Sequence, residues 1–444
     1  MRLICILALI AFFSAPVMAL TLEEAVSMAI KSDDSIKQQR ALTEAAEHSK
    51  KSSFSAFLPT ADLSYQYSHT ELGGVSGLPI SRESRNSSFA VRFAYNLFNG
   101  MIDHNTYLRS DNRLLMQKYN YTGNAQDVIL STKTAYIAYL KARNQLQVAN
   151  ETLKLLEAQK RTAEVSYQVG TFSKADVLKV DVQLASTQLE LLNAQINMKL
   201  AGQELERFIG RPIAENENVA ELDTRTDYPI PSLSILYDML EDNRSEMLYT
   251  KAAYKDATLA RKVAKGSYLP KVDLGLTFGW NGYEEWPFDG RNDNYDDSRA
   301  INFTATWNVF DGFRTTHNYL AAAKQVDAST YAVSDLRKKL RLQVSNAYEY
   351  YTSAVQKLNV ATVGLDSARE NYRVTQSMYD NSEATTTDLL DANVALSGAL
   401  NAYASASYDI ISAVAQVERA VETELLGLNV VIPDYDEEKR QTEK

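Results

Sequence analysis

The sequence predicts an α+β membrane protein with an internal two-fold repeat. Four strands per chain supply part of a transmembrane β-barrel, and long helices continue it as a helical barrel. Three observations predict this: a repeat with a period of about 212 residues, four segments of clean apolar/polar alternation, and two helical stretches of about 65 residues with no proline.

The repeat is read from landmarks. Phe57-Leu58-Pro59 recurs as Tyr268-Leu269-Pro270, and Asp62-Leu63 as Asp273-Leu274. Leu97-Phe98-Asn99-Gly100 recurs as Val309-Phe310-Asp311-Gly312, and Ala135-Tyr136 as Ala347-Tyr348. Tyr167 matches Tyr379, and Asp176-Val177-Leu178 matches Asp388-Leu389-Leu390. Six landmarks share one offset to within a residue, so each half is expected to build one structural unit, the two placed equivalently around an axis. The expected organisation is a signal peptide over 1–19, a first repeat over 20–230, a second over 231–426, and a charged, mobile tail over 427–444.

The leader rests on Arg2, an apolar run from Leu3 to Phe13, and small residues before a cut after Ala19. Cys5, the single cysteine, falls inside it, so disulfides, thiol chemistry and cysteine metal sites are not expected. Beyond it no apolar run reaches the length of a membrane helix, so any span must be made of strands.

Within each half a helical stretch (about 34 to 57, then about 233 to 266) ends at a proline, which cannot continue it. Strands follow. Leu63, Tyr65 and Tyr67 share one face of the first, and Phe89, Val91, Phe93, Tyr95 and Leu97 one face of the second. Val272, Leu274, Leu276, Phe278 and Trp280 mark the third; Ile301, Phe303, Ala305, Trp307 and Val309 mark the fourth, backed by Asn302, Thr304, Thr306 and Asn308. Period two over about nine residues suits a tilted membrane strand. The polar stretches Glu71 to Asn86 and Gly282 to Ser298 read as outward loops.

From Met101 to Tyr167 and from Arg314 to Asp380 nothing stops a helix, which at 1.5 Å per residue gives roughly 100 Å. Apolar residues step by threes and fours: Leu146, Ala149, Leu153, Leu156, Ala163, Tyr167, with Lys160 intruding; then Leu178, Val182, Ala185, Leu189, Leu192, Ile196; and Leu389, Leu396, Leu400, Tyr403, Ile410, Val414. These read as core seams between helices.

Four strands cannot close a membrane barrel, and an open edge cannot stand in lipid, so the chain must oligomerise. A net charge of −10 argues against nucleic acid as a partner. The four histidines (His48, His69, His104, His317) stand apart, with no nucleophile or phosphate-loop motif, so no catalytic, cofactor or metal site is expected. An adhesive or structural coiled-coil envelope protein would account for the helices but not for the four alternating segments.

In this order and spacing, the Leu-Pro strand entries at Pro59 and Pro270, the Phe-Asn-Gly and Phe-Asp-Gly helix entries, and the tips Tyr167-Gln168-Val169-Gly170-Thr171 and Thr387-Asp388-Leu389-Leu390-Asp391-Ala392 resemble the TolC-type outer-membrane efflux and secretion proteins. The resemblance runs from about Leu20 to Leu426. It implies a homotrimer with a 12-stranded barrel in the outer membrane and a periplasmic tunnel. The trimer would act as passive exit duct of a tripartite efflux pump or type I secretion system, working with a periplasmic adaptor and an inner-membrane pump. It also implies that Asp388 and Asp391 form the pore constriction and that Tyr379 and Asp176 make a gate contact. Val169, Gly170, Thr171, Ser382, Glu383 and Ala384 would be the tips that meet the adaptor. The chain departs from the pattern at Ala384, where the family carries an arginine of the gate, and at Asn381-Ser382-Glu383, which lacks the usual glycine.

Overall fold

The structure is a computed structural model that describes residues 19–72, 82–214, 217–223, 225, 228–282, 287, 296–427 and 435–436. The expected leader up to residue 18, the centres of both hairpin loops and most of the C-terminal tail lie outside the described residues. The first half contains α1 (Leu22–Ser32), α2 (Asp34–Phe54), a 3-10 turn (Ser55–Phe57), β1 (Thr60–Leu72), β2 (Arg82–Asn99), α3 (Ile102–Gln168) and α4 (Lys174–Ile209). The second repeats it as α5 (Leu233–Asn243), α6 (Ser245–Gly266), β3 (Lys271–Gly282), β4 (Asp296–Thr306), α7 (Arg314–Asp380) and α8 (Thr386–Val421). α3 and α7 each hold 67 residues, α4 and α8 each 36. The proline-free stretches therefore become helices of equal length in both halves.

One helix was expected over 233–266; it is broken at Arg244. The same break occurs at Asp33, one repeat earlier. Asp33 caps α2, its Oδ1 accepting from the Ser35 amide at 2.8 Å and the Ile36 amide at 3.3 Å. Arg244 is buried and donates to the carbonyl of Arg419, while the Ser245 amide and hydroxyl donate to Glu422 Oε2 at 3.1 and 2.6 Å. Tertiary partners end this helix, with no proline or glycine to announce it.

The chain divides into two compact units, residues 39–120 with 246–337, and residues 1–38 with 121–245 and 338–444. The first holds one antiparallel sheet in the order β1-β2-β3-β4. Its register aligns the alternating residues across all four strands: Ala61, Phe93, Leu276 and Ile301 lie in one row, and Tyr95, Leu274 and Phe303 in another. The opposite face is small and polar, with Gln66 beside Ser88 and Asn281, and Asp62 beside Arg92 and Thr277. On the apolar face Leu63 is 74% exposed and Ile301 78%. Apolar area left open on a whole sheet face is what a hydrocarbon solvent accepts and water does not.

β4 stops at Thr306, short of the expected Val309. Its image β2 runs on to Asn99 because β3 pairs with it as far as Lys271, whereas residues 307–309 have no strand across from them. Leu97 is a bulge: the β2–β3 register shifts between Asn96 and Phe98. In the same unit, Gly100 (φ +71°) and Gly266 pass so closely that a Cβ on Gly100 would collide with the Gly266 carbonyl oxygen. That contact is the reason for glycine at the entry to α3.

The second unit has the larger core. α1 opens with a capping box between Thr21 and Glu24 and buries Leu22, Ala25, Val26 and Ala29. These join Tyr121, Ile129, Tyr136 and Leu140 of α3 and Leu205, Phe208 and Ile209 of α4. The buried Tyr136 hydroxyl lies 2.9 Å from the Leu20 carbonyl and 2.7 Å from that of Ala220, bracing the parallel bridge Leu20–Val219. Lys133 and Glu418, 3% and 8% exposed, pair at 2.6 Å, and Glu418 also accepts from the amides of Leu425 and Leu426. The chain after α8 is thereby tied down. Tyr435, within the tail expected to be mobile, is buried in this core with its ring 6.1 Å from Tyr121.

The expected seams are only partly buried in one chain. Leu156, Ala163, Leu389, Ile410 and Val414 are buried, and the intruding Lys160 pairs with Asp181 at 2.7 Å. By contrast Leu178, Val182, Leu189, Leu192 and Ile196 of α4 are 53–72% exposed, so this ladder is not a core seam of the protomer. Its 4-3 spacing is that of a helix awaiting a neighbour from outside the chain.

Lys133→Met strands the buried Glu418 carboxylate and is expected to lower unfolding free energy by about 3 kcal/mol. Adding Glu418→Leu should recover only part of this, because the Leu425 and Leu426 amides then lose their acceptor. Denaturant unfolding followed by circular dichroism measures both.

Candidate functional site

Two helix hairpins, α3–α4 and α7–α8, end in turns built alike. α3 closes with the Thr171 amide donating to the Ser166 carbonyl at 2.9 Å and the Gly170 amide to Tyr167 at 3.1 Å. α7 closes with the Glu383 amide on Met378 at 2.7 Å and the Ser382 amide on Tyr379 at 3.0 Å. Both are Schellman closures, which need a left-handed residue at one position. Gly170 takes it at φ +82° and Ser382 at φ +62°. The missing glycine noted in the sequence thus leaves the turn in place but puts a Cβ into a disfavoured region, at a cost of about 1 kcal/mol. Thr387-Asp388-Leu389-Leu390-Asp391-Ala392 is the first part of α8; the turn itself is 381–385.

Each following helix opens with a capping box. Asp176 Oδ2 lies 2.7 Å from the Ser173 hydroxyl and 3.2 Å from its amide; Asp388 Oδ2 lies 2.6 Å from the Thr385 hydroxyl and 2.8 Å from its amide. Hydrogen bonds from Ser173 and from Thr385 hold both carboxyls below the usual aspartate range. Asp388 and Asp391 are exposed, while Leu389, Leu390 and Ala392 between and beside them are buried. The two acids therefore share the open side of α8, one helical turn apart.

Tyr379 and Asp176 are neighbours in the protomer. The Tyr379 ring meets Phe172 edge-on at 5.7 Å, and its hydroxyl hydrogen-bonds Thr386 with the Asp176 charge nearby. Burial, more than that charge, pushes the tyrosine hydroxyl up. Asp176 spends its near oxygen on Ser173 and has Lys179 at 3.7 Å; Lys179 in turn reaches the Thr387 hydroxyl at 2.9 Å. Lys179 joins the two hairpin tips, a role the sequence pattern did not single out. Val169 is 70% exposed; Gly170, Thr171, Ser382 and Glu383 are exposed and Ala384 half-buried, all six at the two turns.

The model of the outer membrane efflux protein family matches residues 25–211 and again 236–422, the two matches lying one internal repeat apart. This chain belongs to that family. Among curated relatives, outer membrane protein TolC of Vibrio cholerae is 23% identical over 421 residues, with 92% of each chain covered. The alkaline protease secretion protein AprF of Pseudomonas aeruginosa is 22% identical over 315 residues, 70% of this chain and 64% of AprF. The crystal structure of the Campylobacter jejuni CmeC outer membrane channel superposes with a TM-score of 0.79 at 17% identity, covering 95% of this chain and 89% of that one. As a member of the family, the chain is an outer-membrane export channel of the efflux and type I secretion class. Channels of the family are homotrimers that pair with periplasmic adaptors and inner-membrane pumps.

The two turns invite a mirrored test. Gly170 has open space around its Cβ position, so Gly170→Ser should cost only backbone strain, about 1 kcal/mol, and Ser382→Gly should gain a similar amount. Hydrogen exchange at the amides of 169–173 and 381–385 reads the two changes separately.

Proposed function

We propose that the chain is a passive duct without catalysis of its own, closed at its paired helix tips. The narrowest point is lined by Asp388 and Asp391 and the closure is set by the contacts around Tyr379 and Asp176. The observation that carries this is the pair of exposed acids, Asp388 and Asp391, one helical turn apart on the open side of α8 beside the turn. In a trimer they make six carboxylates. At about 6 Å and an effective dielectric near 20, each like-charge pair costs about 3 kcal/mol, which cation binding relieves. The capping role of Asp388 is compatible with this, because the carboxylate stays charged while it caps.

The turn residues Val169, Gly170, Thr171, Ser382, Glu383 and Ala384, all exposed but the half-buried Ala384, form the surface offered to the adaptor. Ala384 removes an arginine from the closure, and Lys179, bridging Asp176 and Thr387, supplies the cation in its place. AprF is named for protease secretion, and the similar BepC of Brucella suis is named an efflux protein. One duct design serves both uses, so cargo is selected by the pump and adaptor.

Asp388→Asn with Asp391→Asn keeps side-chain shape and removes the charge. In planar bilayers it should raise the divalent-cation concentration that blocks conductance by about tenfold or more, the equivalent of about 1.4 kcal/mol of binding. Unchanged block removes the ring. Tyr379→Phe combined with Asp176→Asn should raise single-channel conductance if these residues hold the tip closed; an unaltered value refutes the gate.

A further inference from the structure

The two halves copy each other's helices and strands but not each other's ion pairs. From α1 to β1 the repeat offset is 211 residues, and from β2 onward it is 212. On this count Lys50 and Lys51, near the end of α2, return as Arg261 and Lys262 near the end of α6. In the first half each has an acid: Lys50 pairs with Asp111 at 2.7 Å and Lys51 with Glu47 at 2.9 Å. Asp111 returns as Ala323 and Glu47 as Thr258. Both cations are kept and both counter-charges are gone. A third cation, Lys265, stands where the first half has Phe54. Among the described residues Arg261, Lys262 and Lys265 have no ion pair. At 3.6 residues per turn the three fall within about 100° of one side of α6. Lys262 and Lys265 are exposed and Arg261 is half-buried. The helix macrodipole favours a cation in the last turn, a role that Lys265 alone would fill.

Their position names the missing counter-charge. Four residues separate α6 from β3, in the same compact unit as the sheet. At this end of the sheet Tyr268, Leu269, Trp307, Phe310 and Phe313 are 42–73% exposed. Trp307 continues the alternation of Ile301 and Phe303 on the apolar face, and its indole donates to the Tyr268 carbonyl at 3.1 Å. Open aromatic side chains where a membrane strand ends mark the headgroup level. Roughly 8 Å of helix holds all three cations next to that level. Their long stems can lie along apolar surface while the charges reach its polar edge.

We propose that Arg261, Lys262 and Lys265 bind the phosphodiester of an anionic phospholipid in the periplasmic leaflet of the outer membrane. The inference rests on the outer-membrane location of the sheet and uses neither the tip contacts nor the acids of α8. The apolar sheet face, the aromatic edge and the cations make one continuous surface that matches acyl chain, interface and phosphate in that order. Near an anionic lipid surface each cation contributes about a fivefold gain in binding. The first half offers no such site, because Asp111 and Glu47 already neutralise its cations.

The assembled protein, purified in a neutral detergent, is offered phosphatidylglycerol or phosphatidylcholine, and bound lipid is counted by native mass spectrometry. The native chain should bind phosphatidylglycerol about tenfold or more tightly than phosphatidylcholine. Arg261→Gln, Lys262→Gln and Lys265→Gln together should remove that preference, whereas Lys255→Gln, about two turns farther from the sheet, should leave it. Returning the acids of the first half, Thr258→Glu with Ala323→Asp, should also remove it, with every cation still in place. Heat-modifiable migration establishes that each variant is assembled. Equal affinity for the two lipids in the native chain, or a preference that survives the two added acids, overturns the site. Displacement of the lipid by millimolar inorganic phosphate makes it a site for a free anion and overturns the lipid assignment. Cation block at Asp388 and Asp391 is read by conductance, so neither result decides the other.

Discussion

A peptide group facing hydrocarbon without a partner costs several kcal/mol, and a folded domain has only about 5–15 kcal/mol in hand. Among the described residues, β1 and β4 have a strand on one side only and carry a row of such groups along their outer edges. A few of them left open would exceed the stability of the whole fold, so a single copy cannot occupy a membrane in this conformation. The open apolar ladder on α4 and the polar inner face of the sheet are consistent with the same requirement.

Much of this was legible in the sequence because the signals were local or duplicated. The long helices are bounded by Gly100 and Gly170 in one half and by Gly312 in the other, and the helix ends fall within a residue of expectation. The alternation of Leu63, Tyr65, Phe93 and Leu276 fixed which face is apolar, and the register keeps them together. What escaped was set by partners distant in sequence. The break at Arg244 depends on Glu422 and the Arg419 carbonyl, more than 170 residues away. β4 ends at Thr306 rather than Val309 because its pairing with β3 ends at Lys271, where β3 begins. Tyr435 looked like part of a solvated tail because its neighbours are charged; only the ring of Tyr121 shows otherwise. At the tip, the spacing of Asp388 and Asp391 was readable, but the capping bonds of Asp388 and the bridge made by Lys179 were not.

The two halves have diverged in how they use one plan. α8 buries nineteen of its residues, α4 only six, although both have the same length and cap. One copy of the helix became the core of its own chain and the other kept its apolar residues outward. The tips diverged too, glycine in one Schellman turn and serine in the other, so the second turn carries strain that the first does not.

The bare ladder of Leu178, Val182, Leu189, Leu192 and Ile196 has a consequence for the life of the chain before it reaches its sisters. A copy on its own holds these side chains in water, so its folded state keeps an unmet attraction for apolar surface, and its stability rises with whatever comes to lie against α4.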